Sequence, residues 1–159
     1  MKKRVLLCLL ALLCAVVMLT FTISAEELSG ICGENLTWTL KDGTLTISGE
    51  GPMAEDSDMQ WWDYRKEIKH VIIEDGVTAI SHSAFSNLQE LTSVTIPESV
   101  CKIGSYAFNY CVSLTSVTLP DGITELEQSS FARCSGLTEI KLPAELTVIG
   151  NSVFDPAPV

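Results

Sequence analysis

Histidine occurs only twice in the 159 residues, at His70 and His82. No HExxH stretch and no closely spaced cysteine pair accompanies them. A metal site built from imidazole and thiolate needs those ligands at set spacing, so none is expected here. A glycine-rich phosphate loop is missing as well. Basic side chains are scarce, with ten Lys/Arg against 20 Asp/Glu and a formal charge of −10. A polyanion of this kind is a poor partner for nucleic acid or for anionic lipid. Low-complexity stretches are lacking, and the only long apolar run covers residues 5–23. Such a sequence suits one domain and solubility outside the cell.

That run follows Lys2, Lys3 and Arg4 and ends at Ser24-Ala25, before Glu26-Glu27. A basic start, an apolar middle and a small residue at a polar boundary read as a secretory signal cut after Ala25. At this length an uncleaved anchor is the alternative. Either way the remainder lies outside the cytoplasm. The basic residues before position 26 number three and the acidic ones none, so cleavage makes the chain more acidic. Six cysteines are present, and Cys32, Cys101, Cys111 and Cys134 follow the leader. Export permits disulfides. Cys111 and Cys134, however, stand one repeat apart. Strand neighbours lie about 4.8 Å apart, whereas bridged Cβ atoms want about 3.8 Å. A buried file of free thiols is the favoured reading, and no disulfide is expected.

What the chain does have is a 23-residue period. Phe85, Phe108, Phe131 and Phe154 obey it. So do Ile80, Ile103, Leu126 and Ile149. Three more apolar columns begin at Ile68, Val71 and Ile73. Apolar columns locked to one period mean a stack of equal units, each burying its face on the next. The units begin at Ile68, Leu91, Leu114 and Leu137. Within Leu114-Thr115-Ser116-Val117-Thr118-Leu119, Val117 and Leu119 alternate with Ser116 and Thr118, as in a strand with one buried side. Pro120 ends it. A second short extended piece holds Ile123 and Leu126. Residues 130–134 read as a helical turn. In the last unit Asp155-Pro156-Ala157-Pro158-Val159 replaces the next turn and strand, so the repeat ends incomplete and this end lacks a cap.

Ahead of the repeats, Leu36, Trp38 and Leu40, then Leu45 and Ile47, alternate with polar residues around Asp42-Gly43. Asp-Gly between alternating runs is a strong hairpin signal. A hairpin over residues 35–40 and 44–48 is therefore expected to close the first end of the stack. Residues 50–67 lack alternation. Gly51-Pro52 breaks the chain, and a loop with one helical turn follows. Trp61, Trp62 and Tyr64 would plug the first rung, although the two tryptophans could also stack on a sugar ring. Asp56-Ser57-Asp58 lacks the further oxygen ligands and the glycine of a calcium loop. The domain reading is thus a signal or anchor over 1–25, a cap over 26–67 and a repeat solenoid over 68–159.

The repeat resembles the BspA-like leucine-rich repeats of bacterial extracellular proteins. The resemblance rests on Ile103-Gly104-Ser105-Tyr106-Ala107-Phe108-Asn109-Tyr110-Cys111 and on Leu114-Thr115-Ser116-Val117-Thr118-Leu119-Pro120, and extends over residues 68–154. It implies a mainly β solenoid used for binding or adhesion at the cell surface, with no shared catalytic residues.

Outward strand positions align across units. His70, Ser93, Ser116 and Glu139 form one column; Ile72, Thr95, Thr118 and Lys141 form the other. In a leucine-rich stack these face the concave sheet, the usual binding surface, which makes His70, Ser93, Thr95, Ser116, Thr118, Glu139 and Lys141 the candidate contacts for an extracellular protein or glycan. Equally, hydroxyls on a solvated parallel sheet are simply good strand formers. No catalytic residue and no cofactor is expected. His82 shares its column with Ser105, Gln128 and Asn151, far from any oriented base and oxyanion site. The alternatives to a binding role are a structural module that self-assembles through the uncapped C-terminal end, or a fragment of a longer surface protein.

Overall fold

The computed structural model describes residues 27–55 and 59–155. The leader, Asp56-Ser57-Asp58 and the terminal prolines fall outside those residues, so the readings placed on them do too. The described chain is a mainly β solenoid of about four turns. Its cap is a three-stranded antiparallel meander of β1 (Leu28–Gly33), β2 (Leu36–Lys41) and β3 (Thr44–Gly49). The expected hairpin is β2–β3, turned at Asp42 and Gly43, both with positive φ. β1 is not legible in the sequence, because Ser29, Gly30 and Gly33 weaken its strand signal.

The cap joins the solenoid through β3, which pairs in parallel with β5 (His70–Ile73), and β5 pairs with β7 (Ser93–Thr95). The next two rungs supply β9 (Ser116–Thr118) and β11 (Glu139–Lys141), paired in parallel as a separate ribbon. No strand pairing links β7 to β9, so the outward sheet is divided between the second and third rungs. Each rung's second strand enters another sheet, in the order β12 (Val148–Ile149), β10 (Glu125–Leu126), β8 (Lys102–Ile103), β6 (Val77–Ile80) and β4 (Gly51–Pro52). The break expected at Gly51-Pro52 is therefore a strand. It lies on the sheet edge, where a proline's missing N–H costs no ladder bond.

The phenylalanines stack in file. Ring centroids are 5.3 Å apart for Phe85–Phe108, 5.2 Å for Phe108–Phe131 and 6.2 Å for Phe131–Phe154. Trp61 extends the file at 5.9 Å from Phe85 and meets Trp38 edge-on at 5.8 Å. The indole N–H of Trp61 donates to the Ala84 carbonyl at 3.1 Å, so burial leaves it satisfied. The plug is only half as expected, since Trp61 is buried whereas Trp62 is 40% exposed. The expected helical turn is a single 3-10 turn, Trp62–Tyr64.

The turn after each second strand is not a helix. Left-handed residues recur in it four apart, with positive φ at Ser83 and Asn87, Tyr106 and Tyr110, Ser129 and Arg133, and at Ser152. Every second N–H of the turn points at the following rung. Ser83, Phe85 and Asn87 donate to the carbonyls of Ser105, Ala107 and Asn109, and the two later rungs repeat the pattern over 2.7–3.2 Å. All these bonds run one way, from each rung's N–H to the next rung's C=O. Rungs approach closely here. A Cβ on Gly104 would lie 2.8 Å from the His82 nitrogen and 2.9 Å from the Ser81 carbonyl carbon. Only glycine fits without a backbone shift.

Burial fades along the stack. Ile68, Leu91, Leu114 and Leu137 are all fully buried, yet in the last rung Leu142 is 42% and Ile149 54% exposed. No described helix is long and apolar enough to cross a membrane.

Candidate functional site

The strand periodicity carries the candidate face. In β5, Val71 and Ile73 point into the core while His70 and Ile72 are exposed. β7, β9 and β11 repeat the arrangement, leaving Ser93, Thr95, Ser116, Thr118, Glu139 and Lys141 outward. Parallel register sets His70 beside Ser93 and Ile72 beside Thr95. It also sets Ser116 beside Glu139 and Thr118 beside Lys141. All seven candidate residues thus lie on one outward surface, although the division between β7 and β9 splits the columns into two halves. His70 Nδ1 and Ser93 Oγ share a hydrogen bond of 2.8 Å. The platform extends onto the cap, where Thr44 and Thr46 stand beside His70 and Ile72. The alternation of those two threonines with Leu45 and Ile47 is the sequence signal that places them on the same side.

A second polar cluster bridges the other sheet. Glu127 Oε2 accepts from the Ser105 N–H and hydroxyl, each at 2.9 Å, and its Oε1 lies 3.3 Å from Lys102 Nζ. Partial burial alone would raise the Glu127 carboxyl. The bonds from Ser105 and Lys102 outweigh it and hold the pKa below its ordinary value. The hydrogen bond to Glu127, and then its charge, in turn raise the Lys102 ammonium. This cluster clamps adjacent rungs and offers no open acid–base pair.

The cysteines are placed by the repeat. Cys111 and Cys134 are buried one rung apart, and their thiols donate to the Phe85 and Phe108 carbonyls at 3.2 and 3.0 Å. Hydrogen bonding with Cys134 and then burial push the Cys111 thiol well above its ordinary range. Burial raises Cys32 to about 11. Both thiols are thus held protonated, the form that packs as a small hydrophobe rather than reacting. Cys101 is exposed. Among the described residues no group of His, Cys, Asp or Glu is arranged to hold a metal ion.

A shallow cavity of about 380 Å³ lies at the junction of cap and solenoid, lined by Arg65, Lys66, Asn87, Gln89 and Glu90. None of its lining residues belongs to the strand columns.

Comparison with known proteins agrees with this architecture. Residues 61–157 match the model of the BspA type leucine rich repeat region. A leucine-rich repeat protein from Eubacterium ventriosum superposes with a TM-score of 0.65 at 25% identity, over 79% of this chain and 40% of its own. One from Bacteroides ovatus gives a TM-score of 0.54 at 34% identity, over 57% of this chain and 23% of its own. The chain therefore spans well under half the length of either relative. No curated protein matches it. With the 23-residue rungs, the phenylalanine file and the matched span in agreement, this chain belongs to the BspA-type leucine-rich repeat family.

Proposed function

We propose that this chain is an exported, non-enzymatic binding protein that holds a protein or glycan at or outside the bacterial cell surface. The observation that carries the reading is the outward platform of His70, Ser93, Thr95, Ser116, Thr118, Glu139 and Lys141. It is a set of donors, acceptors and opposite charges held on registered parallel strands. Each half of the divided sheet presents its groups on paired strands at little further entropic cost, which favours binding. Exposed Ile72 supplies the one apolar contact in the two columns. Support for export comes from the leader pattern, Lys2 to Ala25.

The double substitution Ser116→Arg with Thr118→Arg crowds the middle of the platform without touching the core. Binding to material captured from the natural surroundings is expected to fall at least about tenfold. Undiminished binding by a variant with an unchanged melting temperature removes this site.

A second reading is favoured by Leu142, Val148 and Ile149, exposed together on the last described rung. In that reading the chain is an assembly module joined through this end. Sedimentation decides it, since a monomer at every accessible concentration rules assembly out.

A further inference from the structure

We propose that the cavity at the junction of cap and solenoid binds an acidic sugar, a hexose ring bearing a carboxylate, at a site separate from the strand platform. The cavity combines two chemistries such a ring requires. Its cations are Arg65 and Lys66, adjacent in a chain with twice as many acidic as basic residues. Among the described residues neither forms an ion pair. Arg65 is held in place, because Nη1 donates to the Trp62 carbonyl at 2.9 Å and the guanidinium sits 5.3 Å from the Trp62 ring centroid. A guanidinium has five N–H donors, so four remain for a carboxylate, and their direction is already fixed.

The opposite wall carries the groups that ring hydroxyls need. Gln89 Nε2 donates to Asn87 Oδ1 at 2.8 Å, which orients both amides and leaves the Gln89 oxygen and the Asn87 nitrogen to bond a ligand. Glu90 adds an acceptor. The Glu90 carboxylate accepts from a sugar hydroxyl, and its repulsion falls harder on a phosphate of charge about −2 than on a singly charged uronate ring, which favours the sugar over a phosphopeptide. Trp62 does not line the cavity, but its 40% exposed indole packs under the Arg65 guanidinium and so reports on that cation. A cavity of about 380 Å³ holds one or two sugar rings.

The test is titration of the full chain with D-glucuronate and a short oligogalacturonate, followed through the indole N–H resonances. Saturable movement of one indole signal, assigned to Trp62 by its loss in Trp62→Phe, is expected. The double variant Arg65→Gln with Lys66→Gln should weaken binding at least about tenfold, as loss of charge-assisted hydrogen bonds does. Lys102→Gln, which removes a cation elsewhere, should leave the affinity unchanged. D-glucose should bind far more weakly than D-glucuronate. The proposal is overturned if no indole signal saturates, if the double variant binds as tightly as the parent, or if glucose binds equally well. It is likewise overturned if phosphoserine or inorganic phosphate at equal ionic strength displaces the uronate more readily than uronate itself.

Discussion

At the residue scale, the fate of each side chain follows its place in the period more than its own chemistry. Phe85 and Phe108 are buried because their column is interior. Ser83 and Tyr106 share an unusual left-handed backbone because they hold the same place in the turn. Trp61 and Trp62 escape that logic. They precede the first full repeat, and one period back from Phe85 falls on Trp62, yet it is Trp61 that turns inward and joins the file. Their separation is set by the 3-10 turn beginning at Trp62 and by the Ala84 carbonyl waiting for one indole N–H. Glu127 is likewise opaque from sequence. It occupies a column shared with Ser81, Gly104 and Gly150, and its bond to Ser105 depends on tertiary approach. Because that carboxyl is held below its ordinary pKa, its contribution is present above the unfolded value and is lost as pH falls through the lower folded one. Glu127→Gln should therefore cost about 1 kcal/mol at neutral pH, and this difference should shrink as the pH drops below 4.5. Urea midpoints of both proteins across that range measure it.

At the scale of elements, alternation in β2 and β3 and the period-locked strands of the repeats were readable because burial on one side imposes a two-residue rhythm. The glycine-weakened β1 and the two-residue β4 carry too few side chains to show one. The division between β7 and β9 is invisible in sequence, since Leu91-Thr92-Ser93-Val94-Thr95-Ile96 and residues 114–119 differ only at the final position. In the fold it leaves Val94 and Ile96 partly exposed, whereas Val71 and Ile73 are buried. The turn edge stays closed at this point through the bonds of Tyr106, Phe108 and Tyr110 to Gln128, Ser130 and Ala132. Hydrogen exchange should therefore be faster in the 93–95 and 116–118 segments than in β2 and β3, while residues 106–110 stay protected. Uniform protection across the outward sheet would contradict the division. The candidate site shares this limit. Its columns follow from register, but the split that separates Ser93 from Ser116 does not.

At the scale of the molecule, stability is close to a sum over rungs and the contacts between neighbours. A defect in the middle removes contacts on both sides. Phe108→Ala should cost about 3–5 kcal/mol, more than Phe154→Ala at the thinly covered end. Denaturant unfolding followed separately at the Trp61 end and at the last rung should then lose its coincidence. A single shared transition for Phe108→Ala would show that the stack behaves as one indivisible body.

The one-way hydrogen bonds of the turn edge bear on the assembly reading. Nine donors all face the same direction, so this edge has a head and a tail like an arrow. Two copies brought together tip to tip would oppose N–H to N–H and repel along that edge. A two-fold pair through the last rung is thereby disfavoured, although Glu139 and Lys141 would match across it. Tip-to-tail joining meets a different barrier, because the Ala84 carbonyl at the tail is already occupied by the Trp61 indole. What suits the exposed tip is a segment that brings bare carbonyls and an apolar underside, as one more turn of the same coil would.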